Sequence, residues 1–166
     1  MKDRLLQRFL KYVSFDTQSI ENAGCFPSTE NQRKFAEMLV DELIEIGLSN
    51  VKIDSHCYVT ACLPSNSKKE IPTFGLIAHM DTSPDMPGDN IKPQIIENYN
   101  SEDIILNDFP EIILKVSENP ELKNYQGQTI ICTDGTTLLG ADDKAGIAEI
   151  ITAIEQIIEL NLEHGD

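Results

Sequence analysis

Two short runs in this 166-residue chain bring together residue types that could do chemistry. In Leu76-Ile77-Ala78-His79-Met80-Asp81-Thr82, a strand-like apolar segment runs straight into a histidine, with a carboxylate two positions on. Open α/β sheets bind ligands in the crevice beyond the carboxyl ends of their strands, which is where His79 would emerge. An imidazole can coordinate a metal through one nitrogen while a carboxylate accepts the other N–H and fixes the tautomer. His79 and Asp81 suit that arrangement. The plainer reading makes both of them turn residues at a strand end.

The second run is Thr133-Asp134-Gly135-Thr136-Thr137-Leu138-Leu139-Gly140-Ala141-Asp142-Asp143-Lys144-Ala145-Gly146. Its two leading glycines have phosphate-loop spacing, but Ala141-Asp142 stands where Lys-Ser/Thr is required, so two carboxylates would face the phosphates. That excludes a phosphate loop. A helix N-cap with a first-turn acid accounts for one aspartate. It leaves the adjacent acid and the close-approach glycines unexplained. Neighbouring carboxylates at a loop apex repel unless a cation compensates them, whether Lys144 or a divalent ion. Together His79, Asp81 and Asp142 offer a mixed nitrogen and oxygen donor set, which fits Zn²⁺ better than Ca²⁺. His56, beside Cys57, and His164, after the last helix, read as structural or exposed.

Alternating helices and strands are expected to position these residues. Leu5, Leu6, Phe9, Leu10 and Val13 share one face of an opening helix that ends near Ser14. After a loop, Ser28 or Thr29 caps a second helix with Phe35, Leu39, Leu43 and Ile46 as its apolar stripe, closed by Gly47. Strand patterns follow at 51–54, 58–63 and 74–78, with a hairpin-like turn over 64–72. Residues 81–107, rich in Pro, Gly, Asp and Asn, read as an excursion loop, with weaker strands at 112–116 and 129–133. The last helix, about 143–162, is apolar apart from Glu149, Thr152, Gln156, Glu159 and Glu163, so neighbours should cover it on several sides. The class is α/β, with a mixed, partly parallel sheet and helices on both faces.

Composition narrows the function classes. Thirteen Lys and Arg stand against 28 Asp and Glu, for a net charge of −15. Residues 1–83 carry nine basic and eleven acidic side chains, whereas residues 84–166 carry four and seventeen. Such a field repels phosphate backbones, so no nucleic-acid partner is expected. Apolar runs never exceed three residues, far short of the roughly 20 a membrane span needs. The charged N-terminus lacks a signal-peptide pattern. Four cysteines without C-x-x-C pairing read as reduced thiols in a cytoplasmic protein.

At the two motifs, His79-Met80-Asp81-Thr82-Ser83-Pro84-Asp85 and the Thr133–Gly146 run, the chain resembles the peptidase T family. These are tripeptide aminopeptidases within a wider dizinc family of carboxypeptidases, aminoacylases and desuccinylases. Arg8-Phe9-Leu10-Lys11-Tyr12-Val13, Pro27-Ser28-Thr29-Glu30-Asn31-Gln32 and Pro93-Gln94-Ile95-Ile96-Glu97-Asn98-Tyr99 carry the likeness almost end to end.

The resemblance implies a fold, the N-terminal part of a dizinc exopeptidase-like catalytic domain over residues 1–166. It also implies roles: His79 binds one zinc, Asp142 bridges two, and Asp81 acts as the catalytic acid that orients His79. The peptide bond after Asp142 would be cis. Small peptides would be the substrates, and a homodimer the assembly of the full-length protein. The family's general-base glutamate and remaining ligands fall beyond the helix after Asp142, as does its dimerisation and lid domain. The resemblance therefore leads us to expect an N-terminal fragment, weak in zinc binding and inactive alone. A deacylase or carboxypeptidase of the same family, or a non-catalytic acidic domain, is the alternative.

Overall fold

A computed structural model describes every residue from Met1 to Asp166. The chain divides into two compact units, one made of residues 1–84 and 140–166 and the other of residues 85–139.

The first unit is built on three helices. Helix α1 (Lys2–Val13) buries Phe9, Tyr12 and Val13. Helix α2 (Glu30–Ile46) starts at Thr29, whose side chain accepts from the Gln32 amide, and ends at Gly47 with φ 97°. Only glycine reaches that left-handed conformation without penalty, so the helix stops where the sequence placed its stop. Strands β1 (Ser49–Ile53) and β2 (Val59–Cys62) follow as an antiparallel pair. Helix α3 (Ala141–Glu159) buries Lys144, Ile147, Ala148, Ile151 and Thr152, the i, i+3, i+4, i+7, i+8 pattern of a single face. Tyr12 and Phe15 set their rings against Phe35 at 5.5 and 5.2 Å.

A charged clasp joins the three helices. The buried Arg8 guanidinium donates to Glu42 at 2.7 Å, Thr152 at 2.6 Å and Glu155 at 2.9 Å. Burial works against the Glu42 carboxylate, but hydrogen bonds from Arg8 and Lys11 outweigh it and hold its pKa below the usual range. Thr152, placed by sequence on the polar stripe of α3, is buried because it accepts one of these bonds.

The second unit pairs β3 (Gln94–Ile96) with a later strand, β6 (Ile130–Cys132), both antiparallel. Between them in sequence, β4 (Ile104–Asp108) and β5 (Glu111–Leu114) form a hairpin. Tyr99, Ile104, Val116 and Leu122 make its core. The Asp134 carboxylate, hydrogen-bonded by Thr136 and Lys92, is held down to about 2.

Helices and strands are mixed, as the α/β reading requires, but two helices precede the six strands and one follows them, and the sheet differs from the expected one. The strands form three separate two-stranded antiparallel ladders, not one mixed sheet flanked by helices. The loop expected over 81–107 contains β3, too short at three residues for alternation to be read, and most of β4, whose Ile104-Ile105-Leu106 run is apolar without alternation. Residues 74–78, expected as a strand, pair with no neighbouring strand, and Phe74, Leu76 and Ile77 are exposed, Ile77 at 94%. The expected turn over 64–72 does not return the chain as a hairpin. Ser65, Asn66 and Lys69 instead bond to residues 162–166. Helix α3 is fully covered on one face only. Ile150, Ile154 and Ile157 line a cavity of about 1480 Å³ that Phe74 and Leu76 also border.

Candidate functional site

Residue 79 lies just past the unpaired segment, and residue 142 at the start of α3. They are 63 positions apart in sequence, yet the His79 Nε2 and Asp142 Oδ1 atoms are 3.0 Å apart. Local backbone explains how Asp142 reaches out. Gly140 adopts φ 73°, the Asp142–Asp143 bond is cis as the resemblance implied, and both aspartates have non-helical dihedrals. Regular helix therefore begins at about Lys144. Its cap is Asp143, whose Oδ1 accepts from the Gly146 amide at 3.2 Å. A side chain at Gly146 would collide with that carboxylate. The capping explanation thus covers Asp143 and leaves Asp142 free of it, with a side chain 94% exposed.

Asp81 stands on the other side of the ring. Its main-chain carbonyl is 3.0 Å from His79 Nδ1, and its carboxylate 3.3 Å. The carbonyl is the nearer oxygen, so Asp81 orients the ring through its backbone as well as its side chain. Both ring nitrogens face acceptors, which suits the doubly protonated imidazolium. Partial burial lowers the His79 pKa, but the hydrogen bond to Asp142, with the carbonyl and charge of Asp81, outweighs it and leaves the pKa raised.

A divalent ion asks for the same two atoms. Ligand nitrogens and oxygens lie about 2.0–2.2 Å from Zn²⁺, so two donors on one ion are at most about 4 Å apart. His79 Nε2 and Asp142 Oδ1 meet that condition, and an ion binding there would displace the Nε2 proton. The donor set is incomplete, since no group of three or more His, Cys, Asp or Glu residues converges. His164 bonds to the Gly165 carbonyl and His56 lies beside Ser55, both away from the pair.

Sequence reasoning missed what holds the two loops together. Residues 15–19 form a strap between α1 and α2 that bonds to the His79 segment. Thr17 Oγ1 donates to the Met80 carbonyl at 2.7 Å, the Thr82 amide to the Thr17 carbonyl at 3.1 Å, and the Ser19 amide to the Thr82 carbonyl at 3.0 Å. Gln32, buried at the start of α2, donates to the Thr17 and Gln18 carbonyls. The signal for Gln32 was its place three residues after Thr29, the capping-box spacing. The sequence offers Lys144 as a counter-ion to the adjacent aspartates, but its ammonium turns inward and donates to the Phe15 carbonyl at 2.6 Å. It is 1% exposed, 5.6 Å above the Phe35 ring, and burial pushes it down to about 8 despite the charge of Asp16. Its position on the buried i, i+3, i+4, i+7 face was the available signal.

No family model matches the chain. Individual relatives do. Peptidase T of Caldanaerobacter subterraneus subsp. tengcongensis is 62% identical over 164 residues, 98% of this chain and 40% of that protein. Peptidase T of Halothermothrix orenii is 60% identical over 155 residues, 93% of this chain and 38% of that protein. A crystal structure of a tripeptidase from Staphylococcus aureus superposes with a TM-score of 0.65 at 26% identity, covering 99% of this chain and 34% of that one. The chain spans about 40% of the length of the curated relatives it matches. The chain is thus similar, over nearly all of its own length, to peptidase T proteins and to a tripeptidase structure.

Proposed function

We propose that this chain is the N-terminal part, over residues 1–166, of the catalytic domain of a zinc-dependent aminopeptidase that releases the N-terminal residue of tripeptides. The observation that carries this reading is the His79–Asp142 pair. Two donors from distant loops meet at 3.0 Å, in a chain whose relatives are peptidase T enzymes. His79 would ligate one ion through Nε2, and Asp142 would bridge two with its exposed carboxylate. Asp81 would keep the remaining imidazole proton on Nδ1 and so hold the ring in the coordinating tautomer. Paired zinc ions in such a site activate water and polarise the scissile carbonyl.

The rest of the reading follows from the share of the family that the chain spans. Two converging donors bind a metal ion weakly, and the 166-residue chain is expected to hydrolyse no tripeptide. Small peptides would be its substrates, met in the cytoplasm; no helix of the chain is long and apolar enough to cross a membrane. The full-length protein would assemble as a homodimer.

The test is an assay of the longer protein on free tripeptides and on N-acylated amino acids, with and without EDTA. Metal-dependent release of the N-terminal residue supports the reading. Hydrolysis of only the acylated substrates would make it a deacylase. Full activity after Asp142→Asn would leave the Asp142 turn as nothing more than a helix start.

A further inference from the structure

The His79–Asp142 contact does not explain its own geometry. Both side chains are more than half exposed, and a hydrogen bond between groups in water contributes little on its own. Nor does the strand before His79 hold it, because residues 74–78 have no ladder. What fixes residues 80–82 is the strap, whose Thr17 and Ser19 make four bonds to Met80 and Thr82. The strap is tied in turn to α3 by one side chain. Lys144, two residues after Asp142, reaches the Phe15 carbonyl just past the C-terminus of α1, an end where a cation is electrostatically welcome.

A buried lysine at that position needs a reason, since methionine would fill the same space without burying a charge. Neutralising the adjacent aspartates is not the reason, because the ammonium forms no ion pair with Asp142 or Asp143. It is turned towards Phe15, over the Phe35 ring. An apolar residue there would fill the same space and leave the strap held to α2 by Gln32 but no longer tied to α3.

We propose that Lys144 is a positioning residue for the His79–Asp142 pair, locking the Phe15–Ser19 strap, and through it residues 80–82, to the start of α3. The importance of that pair rests on the metal reading above, but the mechanical link does not. Lys144→Met therefore separates two quantities that ordinary packing would move together. Amide hydrogen exchange at Thr82 and Ser19, followed by NMR, is expected to accelerate at least tenfold, while Leu39 and Ala148 keep their protection and the melting temperature does not fall. The affinity of the chain for Zn²⁺ at His79, read from the imidazole resonances, is expected to fall at least threefold.

Thr17→Val cuts the same link from the other end. In the double variant Thr82 should exchange no faster than in the faster single variant, because the two changes break one chain of contacts. Unchanged exchange at Thr82 and Ser19 in Lys144→Met would overturn the proposal. So would loss of protection across all amides with a lowered melting temperature, or fully multiplicative effects in the double variant. If the parent chain takes up no Zn²⁺ at His79, the metal reading fails and the exchange data alone decide the role of Lys144.

Discussion

Residues 74–78 and residues 80–82 are neighbours along one extended stretch, and they are held in opposite ways. The first segment is apolar, exposed and without a ladder, with Ile77 at 94%. The second buries Thr82, whose amide and carbonyl are both bonded by the strap, at Thr17 and Ser19. His79 sits at the junction. In this chain its position is thus set from its C-terminal side, by a loop between two helices, and not by the strand that leads into it. A strand-end histidine need not be positioned by its strand.

The largest effect expected on the pinned side is a pH dependence. Lys144 has a folded-state pKa of about 8 against 10.5 for the free side chain. Between those values the unfolded chain binds more protons than the folded one, so this group adds stability as pH rises. The stability difference between the parent chain and Lys144→Met should therefore shift by about 3 kcal/mol in favour of the parent from pH 8 to 10.5. Urea melts of both proteins across that range check it, and taking the difference cancels the thiols and tyrosines that titrate nearby. A flat difference would mean that Lys144 is not buried as a charge.

Thr17→Val comes next. It leaves the Met80 carbonyl without its hydroxyl donor, at an expected cost of about 1–3 kcal/mol, read as a lower urea midpoint at unchanged slope. Ile77→Asp tests the free side. At an exposed position with no ladder it should change stability by no more than about 0.5 kcal/mol. A loss of several kcal/mol would show that residues 74–78 are packed after all and would erase the contrast.

Legibility from sequence followed the same division. The caps of α2 were plain, because Thr29 and Gly47 act through local chemistry within a few residues. His79, Asp81 and Asp142 stood out because a histidine two residues from one carboxylate, and two adjacent carboxylates at a loop apex, ask for a partner, and the structure sets the His79 ring between Asp81 and Asp142. The sheet was not legible, since strand patterning shows which residues are apolar but not which strand lies alongside. Thr17, Gln32 and Lys144 were missed for a related reason. They act through main-chain carbonyls, at Met80, Thr17 and Phe15, and a carbonyl leaves no mark on residue identity.

The central claim is that His79 and Asp142 are donors to one divalent ion. The most direct measurement is a Zn²⁺ titration of the 166-residue chain, observed through the His79 ring nitrogens by NMR, with His79→Ala and Asp142→Asn alongside. Weak, saturable binding that shifts Nε2, leaves Nδ1 bonded to Asp81 and is lost in both variants is the expected result. Uptake that is equal in all three proteins, or a His79 ring that does not respond to the ion, would contradict the claim.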